Sequence, residues 1–210
     1  MNDVTVFLIR HGETPQHAEN RYVGGTTDAP LNEDGRRQAQ RLMPWAQRAE
    51  LDGVVSSPLQ RSRDTAAPAA TAAGLTVRIE PRLIEVDFGR AELLTGGEMR
   101  ERFPEERAAF EADAFRNPLP GEEPPSEATR RIRAVVDELG EGRDGRRVLV
   151  VSHGTLIRLL ICELFGIDPG TYRLTFPTVR NTSGAVLRKS PERGWGLLAW
   201  NPPLTPELGL

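Results

Sequence analysis

The feature that most constrains this chain is the alternation of short, almost wholly apolar runs with longer segments of helical pattern. Val4–Ile9, Gly53–Ser56 and Val148–Ser152 are too short and too β-branched for helices, and they lack the polar alternation of a sheet face open to water. Strands apolar on both sides must be covered on both sides. Helical patterns lie between them, so the predicted fold is α/β, with a mostly parallel sheet and helices on both faces. In such sheets ligands bind beyond the carboxyl ends of the strands.

Local signals mark the predicted elements. Asn32 is placed to cap a helix with Glu33 and Asp34 in its first turn, continuing to about Arg48. Ser57, Pro58 and Gln60 read as a capping box opening a helix that stops at Gly74. Thr76–Ile79 is a third strand. Residues 81–125 are rich in Glu, Arg and Pro and read as an excursion over one edge of the sheet, with helical patches at Glu98–Arg102 and Glu105–Phe115. Ser126 caps a helix to Leu139, and Thr155–Phe165 forms another that ends at Gly166. Gly184–Arg188 and Trp195–Trp200 make a hairpin. One domain is expected over residues 1–203, followed by a loosely held tail at 204–210.

Composition narrows the function. A net charge of −3 argues against nucleic acid or an anionic membrane as partner, so an anion site must be built from a few placed cations. The single cysteine, Cys162, permits no disulfide within the chain and no cysteine metal cluster, and its apolar run marks it as a small buried hydrophobe. The N-terminus has no signal-peptide pattern and no run is long enough to span a membrane, so a cytoplasmic location is expected.

The residues just after the strands carry the chemistry. Arg10 and His11 end the first strand, Arg61 follows the second, Glu85 follows the third, and His153, Gly154 and Thr155 follow the strand at 148–152. Arginine forks match phosphate oxygens, helix N-termini add N–H donors, and a neutral imidazole attacks phosphorus. Backbone N–H groups near Thr155 are expected to face the anion. Gly12 and Gly154, without side chains, are expected to let it approach the backbone. Glu85 could protonate a leaving group.

Five ordered segments then carry a resemblance. FLIRHGET with RYVGGTTDAPLNEDG, SSPLQRSRDTA, RLIEVDFG, VLVVSHGTLIRLL and NTSGAVL…GWGLLAWN resemble the histidine phosphatase superfamily, which includes phosphoglycerate mutases, over roughly residues 4–201. The resemblance implies a three-layer αβα sandwich whose mixed sheet has an antiparallel last strand, and a reaction without metal or other cofactor. It implies His11 as the phosphorylated nucleophile, Arg10, Arg61 and His153 as the rest of the phosphate pocket, and Glu85 as proton donor. It places His17, Val23, Gly24, Gly154 and Thr155 around the substrate. His17 stands where the family pattern has Asn, and Val23 lies where mutases often carry a hydroxyl residue. With Leu93 and Leu94, Val23 points to a partly hydrophobic leaving group. The expected activity is hydrolysis of a small phosphorylated metabolite by a phosphomonoesterase of the histidine acid phosphatase type, acting as monomer or homodimer. A phosphoglycerate mutase and a non-catalytic phosphate-binding module are the alternatives.

Overall fold

The computed structural model describes residues 3–141 and 145–208. Six strands form one sheet: β1 (Val4–Arg10), β2 (Gly53–Ser56), β3 (Val77–Ile79), β4 (Arg147–Ser152), β5 (Gly184–Ser190) and β6 (Gly194–Trp200). Nine α-helices are α1 (Pro15–Ala18), α2 (Glu33–Gln40), α3 (Met43–Ala46), α4 (Gln60–Ala72), α5 (Gly96–Arg102), α6 (Pro104–Ala112), α7 (Pro125–Gly140), α8 (Gly154–Phe165) and α9 (Tyr172–Thr175) among the described residues.

The strand order is β3-β2-β4-β1-β5-β6. The first four are mutually parallel. β5 pairs antiparallel with β1, and β6 antiparallel with β5. The strand running against the others is therefore β5, and β6 runs with β1.

Alternation along the strands divides the core. Val4, Val6 and Leu8 of β1 and Val148 and Val150 of β4 face α7 and α8, together with buried residues of the 83–119 excursion. Phe7, Ile9, Leu149 and Val151 face the other way, onto Trp45 and Ala46 of α3 and Ala66, Ala69 and Ala70 of α4. This is the expected αβα sandwich, and the small alanine face of α4 lets that helix lie close to the sheet. Cys162 is fully buried. No helix among the described residues is long and apolar enough to cross a membrane.

Four local expectations are corrected. The helix from Asn32 does not run to Arg48. It ends at Gln40 and restarts at Met43, because Pro44 has no N–H to bond back to Gln40. Ser57 does not cap α4: the helix opens at Gln60, whose N–H is taken by the Asp28 carboxylate instead. Ser126 does not cap α7, which begins at Pro125 without a side-chain cap. The tail is not loose at its start, since Leu204 is buried and Leu208 packs on the same cluster. Residues 209 and 210 lie outside the described residues.

Candidate active site

The parallel arrangement brings the ends of β1 and β4 side by side, with Arg10 paired to Ser152 and the His11 N–H donating to the Ser152 carbonyl. The next residues, His11 and His153, therefore meet, with ring centroids 5.2 Å apart. The His17 ring lies 5.0 Å from that of His11. Arg61, from the first turn of α4, is fully buried beside them, and Glu85 is 6% exposed.

The loop holding His11 is shaped by two glycines 23 positions apart. A Cβ on Gly12 would come within 2.7 Å of the Gly35 carbonyl oxygen, and one on Gly35 would collide with the Glu13 carbonyl oxygen. Gly12 thus serves backbone-to-backbone packing against α2, not access for a ligand. The Asn32 side chain caps α2 by accepting from the Gly35 N–H and donates to the Glu13 carboxylate at 2.7 Å. The Thr65 hydroxyl accepts from the Gly12 N–H at 2.8 Å and donates to the Arg61 carbonyl at 2.7 Å. Asn181 donates to the His11 carbonyl at 2.8 Å.

His11 Nδ1 lies 2.6 Å from the Gly12 carbonyl oxygen. A carbonyl only accepts, so Nδ1 carries the proton and Nε2 keeps its lone pair. Burial, then Arg61 and the neighbouring imidazoles, holds the His11 pKa well below the usual histidine range. Burial and Arg61 do the same to His153. His17 is pushed down to about 2 by burial, with Arg10 and Arg61 adding, and its Nδ1 is bonded to the Thr14 hydroxyl at 2.8 Å. Three neutral imidazoles thus share one pocket.

Both arginines are partly tied down. Arg61 donates to the carbonyls of Thr27 at 2.6 Å, Gly24 at 2.9 Å and Val23 at 3.4 Å. Arg10 donates to the Val179 carbonyl at 3.0 Å. The His153 Nε2 is bonded to the Ser57 hydroxyl at 2.8 Å. What these bonds leave over is informative: Arg10 Nε, Arg61 Nε and His153 Nδ1 are buried and have no partner. A buried donor without an acceptor is costly, on the order of 1–3 kcal/mol, and an anion's oxygens would satisfy both guanidinium N–H groups and, in its Nδ1–H tautomer, His153. Burial lowers both guanidinium pKa values to about 10, so both remain cationic at neutral pH.

Glu85 is nearly buried, and its carboxyl oxygens already have partners. Its oxygens accept the N–H groups of Thr155 at 3.0 Å, Leu156 at 3.1 Å and Val86 at 2.9 Å. The N-terminus of α8, expected to face the anion through Thr155, is turned onto Glu85 instead. Burial outweighs these bonds and the nearby Arg61, and raises the carboxyl pKa. Val23 and Gly24 enter the site through their carbonyls on Arg61. The side chains of Val23 and Leu94 are buried, so only Leu93, 42% exposed, is open at the surface. Gly154 does sit against the pocket, where a Cβ would lie 3.6 Å from Arg10 Nε.

Thr65, Asn181 and Gly35 support the site although no strand end marks them, and Ser57, which follows β2, serves it through His153. All four lie within the five family-like segments, which is the signal that could have marked them. Among the described residues, no group of three or more His, Cys, Asp or Glu side chains is gathered to hold a metal ion.

Comparison with known proteins finds a family and relatives over most of the chain. The family model described as histidine phosphatase superfamily (branch 1) matches residues 6–203. The bifunctional protein Rv2228c of Mycobacterium tuberculosis is 40% identical over 173 residues, covering 80% of this chain and 46% of that protein. The chain thus spans about half the length of the first curated relatives it matches. Phosphoserine phosphatase 1 of Hydrogenobacter thermophilus is 32% identical over 79% of this chain and 78% of its own. Among solved structures, the mycobacterial glucosyl-3-phosphoglycerate phosphatase Rv2419c superposes with a TM-score of 0.82 at 28% identity, over 95% of this chain and 99% of that one.

Proposed function

The chain belongs to the histidine phosphatase superfamily, and we propose that within this family of phosphatase- and mutase-type enzymes it is a phosphomonoester hydrolase that takes the phosphoryl group onto His11. The observation that carries the reading is the set of three unpartnered buried nitrogens, Arg10 Nε, Arg61 Nε and His153 Nδ1, around a neutral imidazole.

The steps follow from these groups. The phosphate dianion of a small phosphorylated metabolite enters between Arg10 and Arg61, whose guanidinium groups spread its charge. In the tautomer that accepts from Ser57 at Nε2, His153 carries its proton on the unpartnered Nδ1, which donates to a phosphate oxygen. His17 is a further donor at the same oxygens. His11 Nε2 attacks phosphorus in line, and the bond to the alcohol oxygen breaks. Glu85, whose carboxyl pKa burial raises, gives a proton to that oxygen. The resulting Glu85 carboxylate then takes a proton from water, whose oxygen displaces the phosphoryl group from His11 and releases inorganic phosphate.

The test is hydrolysis of an aryl phosphate by wild type and His11→Ala. Loss of activity by a factor of 10³ or more is expected, on the scale of removing a nucleophile. A His11→Ala protein as fast as wild type overturns the proposal. A mutase working on the same site would instead depend on a bisphosphate primer, so hydrolysis without primer separates the two.

A further inference from the structure

A further buried nitrogen lies beyond the three around His11. Arg158 Nε is buried without a partner, like the three nitrogens around His11, and no part of the steps above uses it. Arg158 is four residues beyond Gly154 on α8, and positions four apart share a helix face. Gly154 is the residue packed against Arg10 Nε. Arg158 therefore lies on the same side, about 6 Å further along the helix axis. The two arginines also hold the same loop: Arg10 donates to the Val179 carbonyl at 3.0 Å, and Arg158 to the Pro177 carbonyl at 3.2 Å.

A second unused cation joins it. Arg173 of α9 lies over the Tyr22 ring at 5.9 Å and the Phe110 ring at 5.2 Å. It is close enough to Arg158 to add to the effect of burial in lowering that group's pKa. Neither arginine makes an ion pair with a carboxylate among the described residues. Two buried carboxyls, Glu122 and Glu85, face this corner, and burial favours the neutral form of each. Burial raises Glu122 to about 8, with Glu85 adding, and raises Glu85 itself. Arg158 and Arg173 thus add two cations to the neighbourhood of Arg10, and a phosphate dianion balances two of the four guanidinium groups.

We infer that Arg158 and Arg173 form a second anion subsite, so that the substrate is a phosphomonoester carrying another anionic group, a carboxylate or a further phosphate, about one helical turn from the transferred phosphoryl. This rests on the phosphatase reading above. Two matched substrate pairs test it: 3-phosphoglycerate against glycerol 3-phosphate, and propane-1,3-diol bisphosphate against its monophosphate. The ratio of kcat/KM within each pair is compared in wild type, Arg158→Gln, Arg173→Gln and Arg158→Lys. A ratio taken within one protein cancels general losses of folded enzyme. A wild-type ratio of about tenfold or more is expected in one pair, the scale of one charge-assisted contact, and that pair names the anion. The ratio should fall toward one in both glutamine variants and be partly kept by lysine. Ratios near one in wild type, or unmoved by Arg158→Gln, overturn the subsite while leaving phosphatase activity standing. If no substrate is turned over, calorimetric titration of 3-phosphoglycerate and the bisphosphate into His11→Ala protein decides the matter separately. Affinity weakened about tenfold by adding Arg158→Gln supports the subsite. No binding, or binding unaffected by that change, overturns it.

Discussion

Gly35→Ala changes one hydrogen for a methyl group on a helix that touches no substrate, yet it should disable the site. The added Cβ would collide with the Glu13 carbonyl oxygen and come within 2.9 Å of the Glu13 nitrogen. Both are backbone atoms, so no side chain can rotate out of the way. Relief needs α2 and the 11–14 loop to part by about 1 Å, judged from ordinary non-bonded separations. That movement pulls on the Asn32–Glu13 hydrogen bonds and on the loop that orients His11. Overpacking of this kind costs about 1–3 kcal/mol of stability. A nucleophile displaced by about 1 Å loses about 10²-fold in rate. Urea unfolding and kcat/KM on an aryl phosphate measure the two effects. Gly97→Ala is the control: only the Thr95 hydroxyl oxygen lies within reach of its Cβ, at 3.7 Å, and the change should be neutral or stabilising by up to about 1 kcal/mol. A Gly35→Ala protein with stability within about 0.5 kcal/mol of wild type and unchanged kcat would refute the packing argument.

Further outcomes follow from the site's hydrogen bonds and charges. Thr65→Val removes the acceptor of the buried Gly12 N–H and should cost about 1–3 kcal/mol in urea unfolding, with a fall in kcat. The imidazoles of His11, His17 and His153 have pKa values depressed by burial. The unfolded chain then binds more protons below about pH 6.5, so their stabilisation is present above that pH and lost as pH falls, by at most about 1.4 kcal/mol per pH unit for each. His17→Asn should make the slope of unfolding free energy against pH, measured between pH 6.5 and 5, shallower by up to that amount; an unchanged slope would show His17 titrating normally. Glu85→Gln should slow hydrolysis of alkyl phosphates about 10²–10⁴-fold and of activated aryl phosphates far less. Equal losses on both would show that Glu85 is not the proton donor. Wild-type kcat/KM on alkyl phosphates should fall as pH rises through the raised Glu85 pKa.

Much of the fold was legible because burial leaves a pattern in the residues themselves. β1 and β4 are central in the sheet, and their apolar runs could belong nowhere else. Gly74 and Gly166 end helices at positive φ, a backbone state that few other residues take cheaply. Capping was less legible. Ser57 and Ser126 have the right chemistry for caps, but a serine hydroxyl has no address in the sequence, and the fold spends that of Ser57 on His153. Asp28, from a distant loop, caps α4 instead. The break at Pro44 was legible in principle, since proline lacks the donor that a continuing helix requires.

For the site, the sequence alone determined which groups stand at the strand ends. Topology carries strand-end residues to one edge, and Arg10, His11, Arg61, Glu85 and His153 gather there as their positions predict. Tertiary structure decided how those groups are used, because hydrogen-bond partners from distant segments are invisible along the chain. It turned the N-terminus of α8 onto Glu85 and the carbonyls of Val23 and Gly24 onto Arg61. It set Gly12 against Gly35, and it left Arg10 Nε, Arg61 Nε, His153 Nδ1 and Arg158 Nε buried and unpaired. Which polar atoms remain unpaired depends on every neighbour that folding brings near, and only the packed chain contains that information.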